Sequence, residues 1–463
     1  MKRIIYSITT ILLFSVYGLT AQQTMTLEQC REMALENNKQ MAIAAKTSEK
    51  ASTDVKAYRA NYFPKFSLTG NYLFSDSESK LTLPGGYLPT FVPGPDGTLV
   101  PNILTTLPSG EQVFKEYAYM PDTEFRFKLN NSYTAGIKAE QPLFMGGKIA
   151  AAYEMAKIGH ELAELNGDLT RSEVLVLTDE AYWTYVKVCE LHKVARQYKG
   201  VVNELLRNVQ SGHEVGMVQR NNVLKVQVKL NEAELQLRKA ENAIRLARMN
   251  LCHIVGLPLT TEITLPDSFE TPDAITVFQA DITKRPEYAM LDKQVALKQQ
   301  QTRLVRSEFL PSVGVAAMYN YMHGLKMNDK PMFDNSSFAA VISVNIPLFQ
   351  WGEGRNKIRS ARTEQKITEL KQADANEKME LELMKSINDV DEATLEVALT
   401  QNSLIEAEEN LKTHKDMYET GMATLVDYLE AQTAWQKAGS DCVNANAALR
   451  LSLTKHKKAA GEL

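Results

Sequence analysis

The chain has 463 residues, a net charge of −4 and 23% charged residues. Its length admits more than one folding unit, and so even a charge balance excludes a chain built mainly to hold nucleic acid, which needs a basic face. The four cysteines, Cys30, Cys189, Cys252 and Cys442, stand far apart with no Cys-x-x-Cys spacing, which argues against a zinc or thioredoxin-like centre and for small buried residues.

Lys2 and Arg3 precede an apolar run from Ile4 to Tyr17 and then the small residues around Ala21, the three-part layout of a secretory signal spanning 1–21. Elsewhere there is no continuous apolar stretch of about 20 residues, so a membrane would not be crossed by a hydrophobic helix, and a barrel stays open as a route. Cys30 lies several residues beyond the expected cut, so no lipid anchor is expected.

The stretch "QPLFMGGK" at Gln141 to Lys148 returns as "IPLFQWGEGR" at Ile346 to Arg355. Pro142 falls on Pro347 at an offset of 205, which also carries Gly216 onto Gly421, Met217 onto Met422, Leu224 onto Leu429 and Gln227 onto Gln432. Upstream, "RANYFPKFSL" and "RSEFLPSVGV" match at an offset of 247, so the first copy holds 42 extra residues, rich in Pro, Gly and Asp-Gly turn signals, between Phe74 and Asn130. The chain is therefore a duplication: 22–256 as first repeat, 257–281 as linker, 282–463 as second repeat.

Each repeat opens with a helix, and Pro286 suits the first turn of the one in the second copy. Two strands follow, at about 62–75 and 131–144 in the first copy and 310–321 and 336–349 in the second. Phe66, Leu68 and Tyr72 take one parity and Ser67, Thr69 and Asn71 the other; Tyr133, Ala135, Ile137 and Ala139 likewise oppose Thr134, Lys138 and Glu140. Segments of about ten residues with one apolar and one polar face have the length of tilted transmembrane strands, although a soluble four-stranded sheet reads the same way.

The helices separate the two. From Arg355 to Thr420 there are 66 residues without Gly or Pro, about 100 Å of helix at 1.5 Å per residue. From Val174, the positions Leu177, Ala181, Thr184, Val188, Leu191, Ala195, Tyr198, Val202 and Leu205 step by three and four, and Val226, Leu230, Ala233, Leu237, Ala240, Ile244, Ala247 and Leu251 do the same. That is the seam of an antiparallel coiled coil. Glycine-centred turns at 211–218 and 419–425 reverse each long helix. Four strands cannot close, and an open edge is not tolerated in lipid, so three chains giving twelve strands is the simplest solution.

In this order and spacing, "LEQCREMALENN" near the start, "YFP" and "FLP" opening strands, "QPLFMGG" and "IPLFQWG" closing them, "KRPE" at Lys284 to Glu287 and the two tips resemble the outer membrane efflux proteins of the TolC family, over nearly the whole mature chain. The resemblance implies an α+β fold: a trimeric 12-stranded transmembrane barrel, four strands per chain, continued by a long antiparallel coiled-coil helical barrel. It implies an outer membrane exit duct of a tripartite efflux system, with outer membrane lipid, a periplasmic adaptor (membrane fusion) protein and an inner membrane RND or ABC transporter as partners, and a long periplasmic extension.

By the same resemblance Asp427 and Glu430, three apart on one helical face, ring the periplasmic aperture; clustered carboxylates attract cations and raise some of each other's pKa values. The arginine that pins the closed mouth in well-known relatives is absent from the tip, which has Met422, Ala423 and Thr424, and the matching first-tip residues Asn222 and Lys225 are not acidic. Val215, Gly216, Met217, Thr420, Gly421 and Met422 form the adaptor-docking tips. Lys138 and Glu140 fall on the polar strand parity and line the barrel lumen, where they neutralise each other.

Met322, His323, Met327 and Met332 make a soft-ligand loop too flexible and too poor in His or Cys to favour metal. The seven histidines are scattered and no nucleophile, Walker or dinucleotide motif appears, so neither enzyme chemistry nor a cofactor is expected. Two other readings remain: a type I secretion duct for polypeptides, and a periplasmic coiled-coil scaffold with a soluble strand cap.

Overall fold

In a computed structural model that describes residues 23–266, 268–269 and 281–463, the duplication is visible in the helix boundaries themselves. Helix α3, Lys148–Glu214, and helix α6, Glu353–Glu419, have 67 residues each, while α4, Arg220–Ile254, and α7, Leu425–Ala459, have 35 each. Every one of these boundaries repeats at the offset of 205. Shorter helices precede each copy: α1, Leu27–Asn37, and α2, Lys39–Arg59, in the first, and α5, Pro286–Ser307, in the second. The signal segment 1–21 and part of the linker lie outside the described residues.

The chain divides into two units, one of helices and one of strands. In the helical unit one core gathers Met25, Cys30, Tyr182, Leu251, Cys252 and Ile263; the parallel pair β1, Gln23–Thr24, and β5, Ile263–Thr264, closes it. Tyr185 donates its hydroxyl to the carbonyl of Ile263 at 2.8 Å. A second core joins both hairpins near their tips: Tyr198, Val202 and Leu205 of α3, Val226 and Leu230 of α4, and Leu425, Tyr428 and Leu429 of α7. Burying these apolar side chains, at roughly 1.5 to 3 kcal/mol for each large one, is what holds such long helices together.

The seam expected along α3 and α4 is buried or partly buried at every position but one. Leu177 is 39% exposed, while its neighbours Thr178 and Asp179 are inside. The helix turns this face inward because Asp179 receives Arg31 Nε and Nη2 at 2.7 and 2.6 Å and Thr454 Oγ1 at 2.7 Å. A buried carboxylate so fully met outweighs the burial of one leucine. The four cysteines are free thiols, Cys30 and Cys252 buried in the first core.

The strand unit is an antiparallel sheet. Strands β2, Lys65–Leu73, β4, Thr123–Met145, β6, Ser312–Met327, and β7, Lys330–Asn345, lie in the order β7-β6-β4-β2, with β3, Ser77–Leu83, on the far end of β4. β4, β6 and the start of β7 run further toward the connections than the alternation suggests, because both connections expected to be irregular are themselves paired, whereas β2 falls inside its expected 62–75 and β7 ends at Asn345, short of 349. β6 and β7 meet in a two-residue turn at Asn328 and Asp329, whose φ values of 50° and 61° are the left-handed pair such hairpins need. The 42-residue insertion continues β4 to Thr123 against β3 and then forms three short antiparallel strand pairs, Gly86–Pro89 with Tyr117–Met120 enclosing the hairpins Phe91–Pro93 with Leu99–Pro101 and Ile103–Thr106 with Gln112–Phe114. Its prolines and glycines punctuate strands rather than abolish them.

Candidate functional site

The two hairpin tips are built alike. Gly216 (φ +78°) and Gly421 (φ +77°) take the left-handed conformation, and the following amides of Met217 and Met422 donate back to the carbonyls of Gly212 and Met417 at 2.8 and 2.7 Å. This is the glycine-terminated helix end that satisfies orphan carbonyls while reversing the chain. It leaves apolar side chains outside: Val215 is 68% exposed, Met217 85% and Met422 70%. The tips lie side by side, and Met217, Gly421 and Tyr428 help line one hollow of about 800 Å³. Tyr418 and Tyr428 stack across it with centroids 5.5 Å apart, and Lys415 reaches Glu204 at 3.8 Å.

Of the two expected aperture acids, Asp427 is engaged locally. Thr424 is the N-cap of α7; its hydroxyl and amide donate to Asp427 Oδ2 at 2.7 and 2.9 Å, and the Asp427 amide donates to the Thr424 hydroxyl at 3.3 Å. These bonds, the hydroxyl's above all, hold the Asp427 carboxyl below the usual aspartate range. Within one chain the shift is thus opposite to that expected from carboxylates repelling one another. Glu430 instead faces a groove between α4 and α7, of about 690 Å³, with Val228, Val426 and Leu429 as apolar lining and Lys225 and Lys437 at its sides. Sequence reasoning passed over this groove, although comparing charges at the offset of 205 exposes it.

In the sheet, cross-strand register sorts the residues by face. Leu68, Ile137, Tyr319 and Phe338 stand in one row and Ser67, Lys138, Met318 and Ala339 in the next, on the opposite face. The first face is apolar and bare: Phe66 is 75% exposed, Leu68 78% and Ile342 73%. Where the strands end, Phe349 and Trp351 meet edge to face at 4.9 Å, and Phe63 and Phe144 are also exposed, an aromatic margin of the kind found at a lipid interface. At the other end Tyr72 donates to Asn131 Oδ1 at 2.9 Å. On the polar face Lys138 forms an ion pair with Glu140. Met322 and His323, neighbours on β6, fall on opposite faces; His323 stacks on Tyr133 at 4.9 Å and reaches Asp334 at 3.0 Å. Among the described residues no helix is long and apolar enough to cross a membrane.

Comparison with known proteins matches this arrangement. Over 94% of its length the chain superposes on the outer membrane channel CmeC of Campylobacter jejuni with a TM-score of 0.71 and 17% identity, covering 85% of that chain. The outer membrane protein VceC of Vibrio cholerae gives 0.69 and 15% identity over 94% of this chain and 96% of its own. At these identities the likeness establishes the fold. A curated relative, the alkaline protease secretion protein AprF of Pseudomonas aeruginosa, is 26% identical over 242 residues, which is 50% of this chain and 49% of that protein. The family model described as "Outer membrane efflux protein" matches residues 30–257 and 279–462, most of the chain and both repeats. The chain belongs to the outer membrane efflux protein family, the TolC family, whose α+β fold its strands and long helices adopt.

Proposed function

We propose that this chain is the outer membrane exit duct of a tripartite efflux system. Three copies close a 12-stranded barrel, substrate enters between the hairpin tips once an adaptor holds them apart, and it then diffuses through a water-filled tunnel past the polar strand faces, Lys138 and Glu140 among them. The inner membrane partner, of RND or ABC class, supplies the energy. The observation that carries this reading is the sheet: one face is bare and apolar while, among the described residues, the outer edges of β2 and β7 have no strand partner. In lipid such edges must be paired, and pairing β2 of one copy with β7 of the next is the closure that the strand order offers.

Asp427 and Glu430 give the mouth its acidic character, and the exposed Val215, Met217 and Met422 with Gly216, Thr420 and Gly421 form the adaptor surface. The first 21 residues direct export. A type I secretion duct for polypeptides is the second reading, favoured by the similarity to a protein named for protease secretion.

Single-channel recording of the purified protein in planar bilayers tests the duct. Small cation-selective currents that lose selectivity in the double variant Asp427→Asn, Glu430→Gln are the expected result. A well-folded, detergent-extracted trimer that conducts nothing would overturn it in favour of a scaffold.

A further inference from the structure

One group of side chains in the sheet has chemistry that a passive duct does not use. On the apolar face, at the end near the β6–β7 turn, Tyr133 of β4, Tyr321 and His323 of β6 and Asp334 of β7 come together. Tyr133 pairs in register with His323 and stacks on its ring at 4.9 Å, and the rings of Tyr133 and Tyr321 are 5.9 Å apart. Tyr321 donates its hydroxyl to Asp334 Oδ1 at 2.6 Å and is in hydrogen-bonding contact with the Tyr133 side chain. His323 Nδ1 stands 3.0 Å from the same carboxylate oxygen, yet it is shielded from solvent and has no hydrogen-bond partner among the described residues. Tyr72, opposite Tyr133 on β2, is engaged by Asn131 and stands outside the group.

We propose that Tyr133, Tyr321, His323 and Asp334 form a ferric ion site, with two phenolates, one imidazole and one carboxylate as ligands, that ties β4, β6 and β7 together. The spacing fits such a site. Two ligand atoms at right angles on metal bonds of roughly 2.1 Å stand about 3.0 Å apart. That is the separation of His323 Nδ1 from Asp334 Oδ1. A nitrogen and an oxygen held so close without a hydrogen bond between them are explained by one cation shared by both.

The donor set selects the metal. Among the described residues, carboxylate, imidazole and thiol groups nowhere gather in threes to hold an ion, and here it is the two phenols that complete the set. Phenols keep their protons at neutral pH unless a strong Lewis acid displaces them. Ferric ion is one, and its three charges are cancelled by two phenolates and one carboxylate, which leaves a neutral unit on a face otherwise apolar. A divalent ion would leave a net negative charge there.

On binding, Fe3+ takes the oxygens of Tyr133 and Tyr321, whose two protons pass to water; Asp334 enters as the carboxylate and neutral His323 gives its lone pair, with no electron transferred. The four protein ligands leave two positions of an octahedron for water or for a small carboxylate chelator that delivers the iron. Tyr133 is 40% exposed, and the side chains of His323 and Asp334 are 34% and 42% exposed, so the ion has a path from solvent.

The site lies within one chain, so its test does not depend on channel formation. The purified full-length protein in detergent is titrated with ferric nitrilotriacetate. The expected result is a visible phenolate-to-iron charge-transfer band that saturates at one iron per chain, with an ultraviolet difference spectrum of two ionised tyrosines. Tyr321→Phe is expected to halve the ultraviolet signal. His323→Gln and Asp334→Asn are each expected to weaken binding at least about tenfold, the least that losing even an outer partner of a metal site costs. Tyr72→Phe is expected to bind as the parent does.

Thermal melting with and without iron shows that each variant is folded, and iron is expected to raise the melting temperature of the parent alone. No band in the parent overturns the site. So does a band that survives Tyr321→Phe and Asp334→Asn unchanged, since the iron then sits elsewhere as an adventitious ion only. Zinc bound as tightly as ferric ion would overturn the assignment of the metal.

Discussion

Asp179 of α3, fully buried, takes a two-pronged hydrogen bond from Arg31 of α1 at 2.7 and 2.6 Å, and Thr454 of α7 adds a third donor at 2.7 Å. Three helices far apart in sequence meet at one carboxylate. Replacing Arg31 with Met leaves that charge uncompensated and is expected to cost about 3 to 5 kcal/mol, whereas Arg31→Met combined with Asp179→Leu is expected to recover most of it. Thermal or urea unfolding of the parent and the two variants checks this; equal losses in the single and double variants would contradict it.

At the second tip, Thr424→Ala removes the side-chain cap of α7 and is expected to destabilise that end by about 1 kcal/mol. Asp427 adds a pH dependence of known sign. Its carboxyl titrates below its ordinary value when folded, so its contribution is present above the unfolded value near 4 and is lost as pH falls through the lower folded one. Protection of the amides at residues 425–428, taken relative to the intrinsic exchange rate at each pH, is expected to fall in the parent between pH 6 and pH 3 and to be low throughout in Thr424→Ala.

Gly216 and Gly421 have open space where a Cβ would stand, but positive φ angles. An alanine at either meets backbone strain of about 1 kcal/mol and no clash. The loss falls on the tip alone, so Gly421→Ala is expected to raise proteolytic nicking near 420 while leaving the melting temperature of the whole protein within about 2 °C. A large drop in global stability would show that the turn is a core element.

His456 is 1% exposed on α7, with Nδ1 3.0 Å from Ser386 Oγ and Nε2 without a partner among the described residues. Desolvation lowers its pKa. The unfolded chain therefore binds a proton that the folded one refuses, and stability is expected to fall as pH drops below about 6.5, until the lower folded value is reached. His456→Gln is expected to flatten the melting temperature across that window. A parent curve without slope there would refute the assignment.

The two faces of the sheet are expected to respond differently to charge. Leu68→Arg or Phe338→Arg, on the apolar face, is expected to cost about 2 to 4 kcal/mol in a bilayer, whereas Ser67→Arg, one residue away on the polar face, is tolerated. Heat-modifiable migration and recovery in the outer membrane fraction report the difference; equal tolerance on both faces would remove the bilayer from the account.

The sequence by itself determined the duplication, the seven-residue helical seam, the turn glycines and the strand parity, because each is a local rule: a period, a positive φ, an alternation. It therefore located α3, α4, α6 and α7, the tips at Gly216 and Gly421, and the sorting of Lys138 and Glu140 onto one face. Tertiary structure decided what those rules do not contain. Leu177 turns outward because Asp179 is claimed by Arg31 from a distant helix. The turn-rich insertion pairs into strands because the long β4 offers it an edge. Asp427 spends its carboxylate on Thr424, while Glu430 looks across a groove at Lys225, since only the packing of α4 beside α7 brings residues 205 positions apart to the same level.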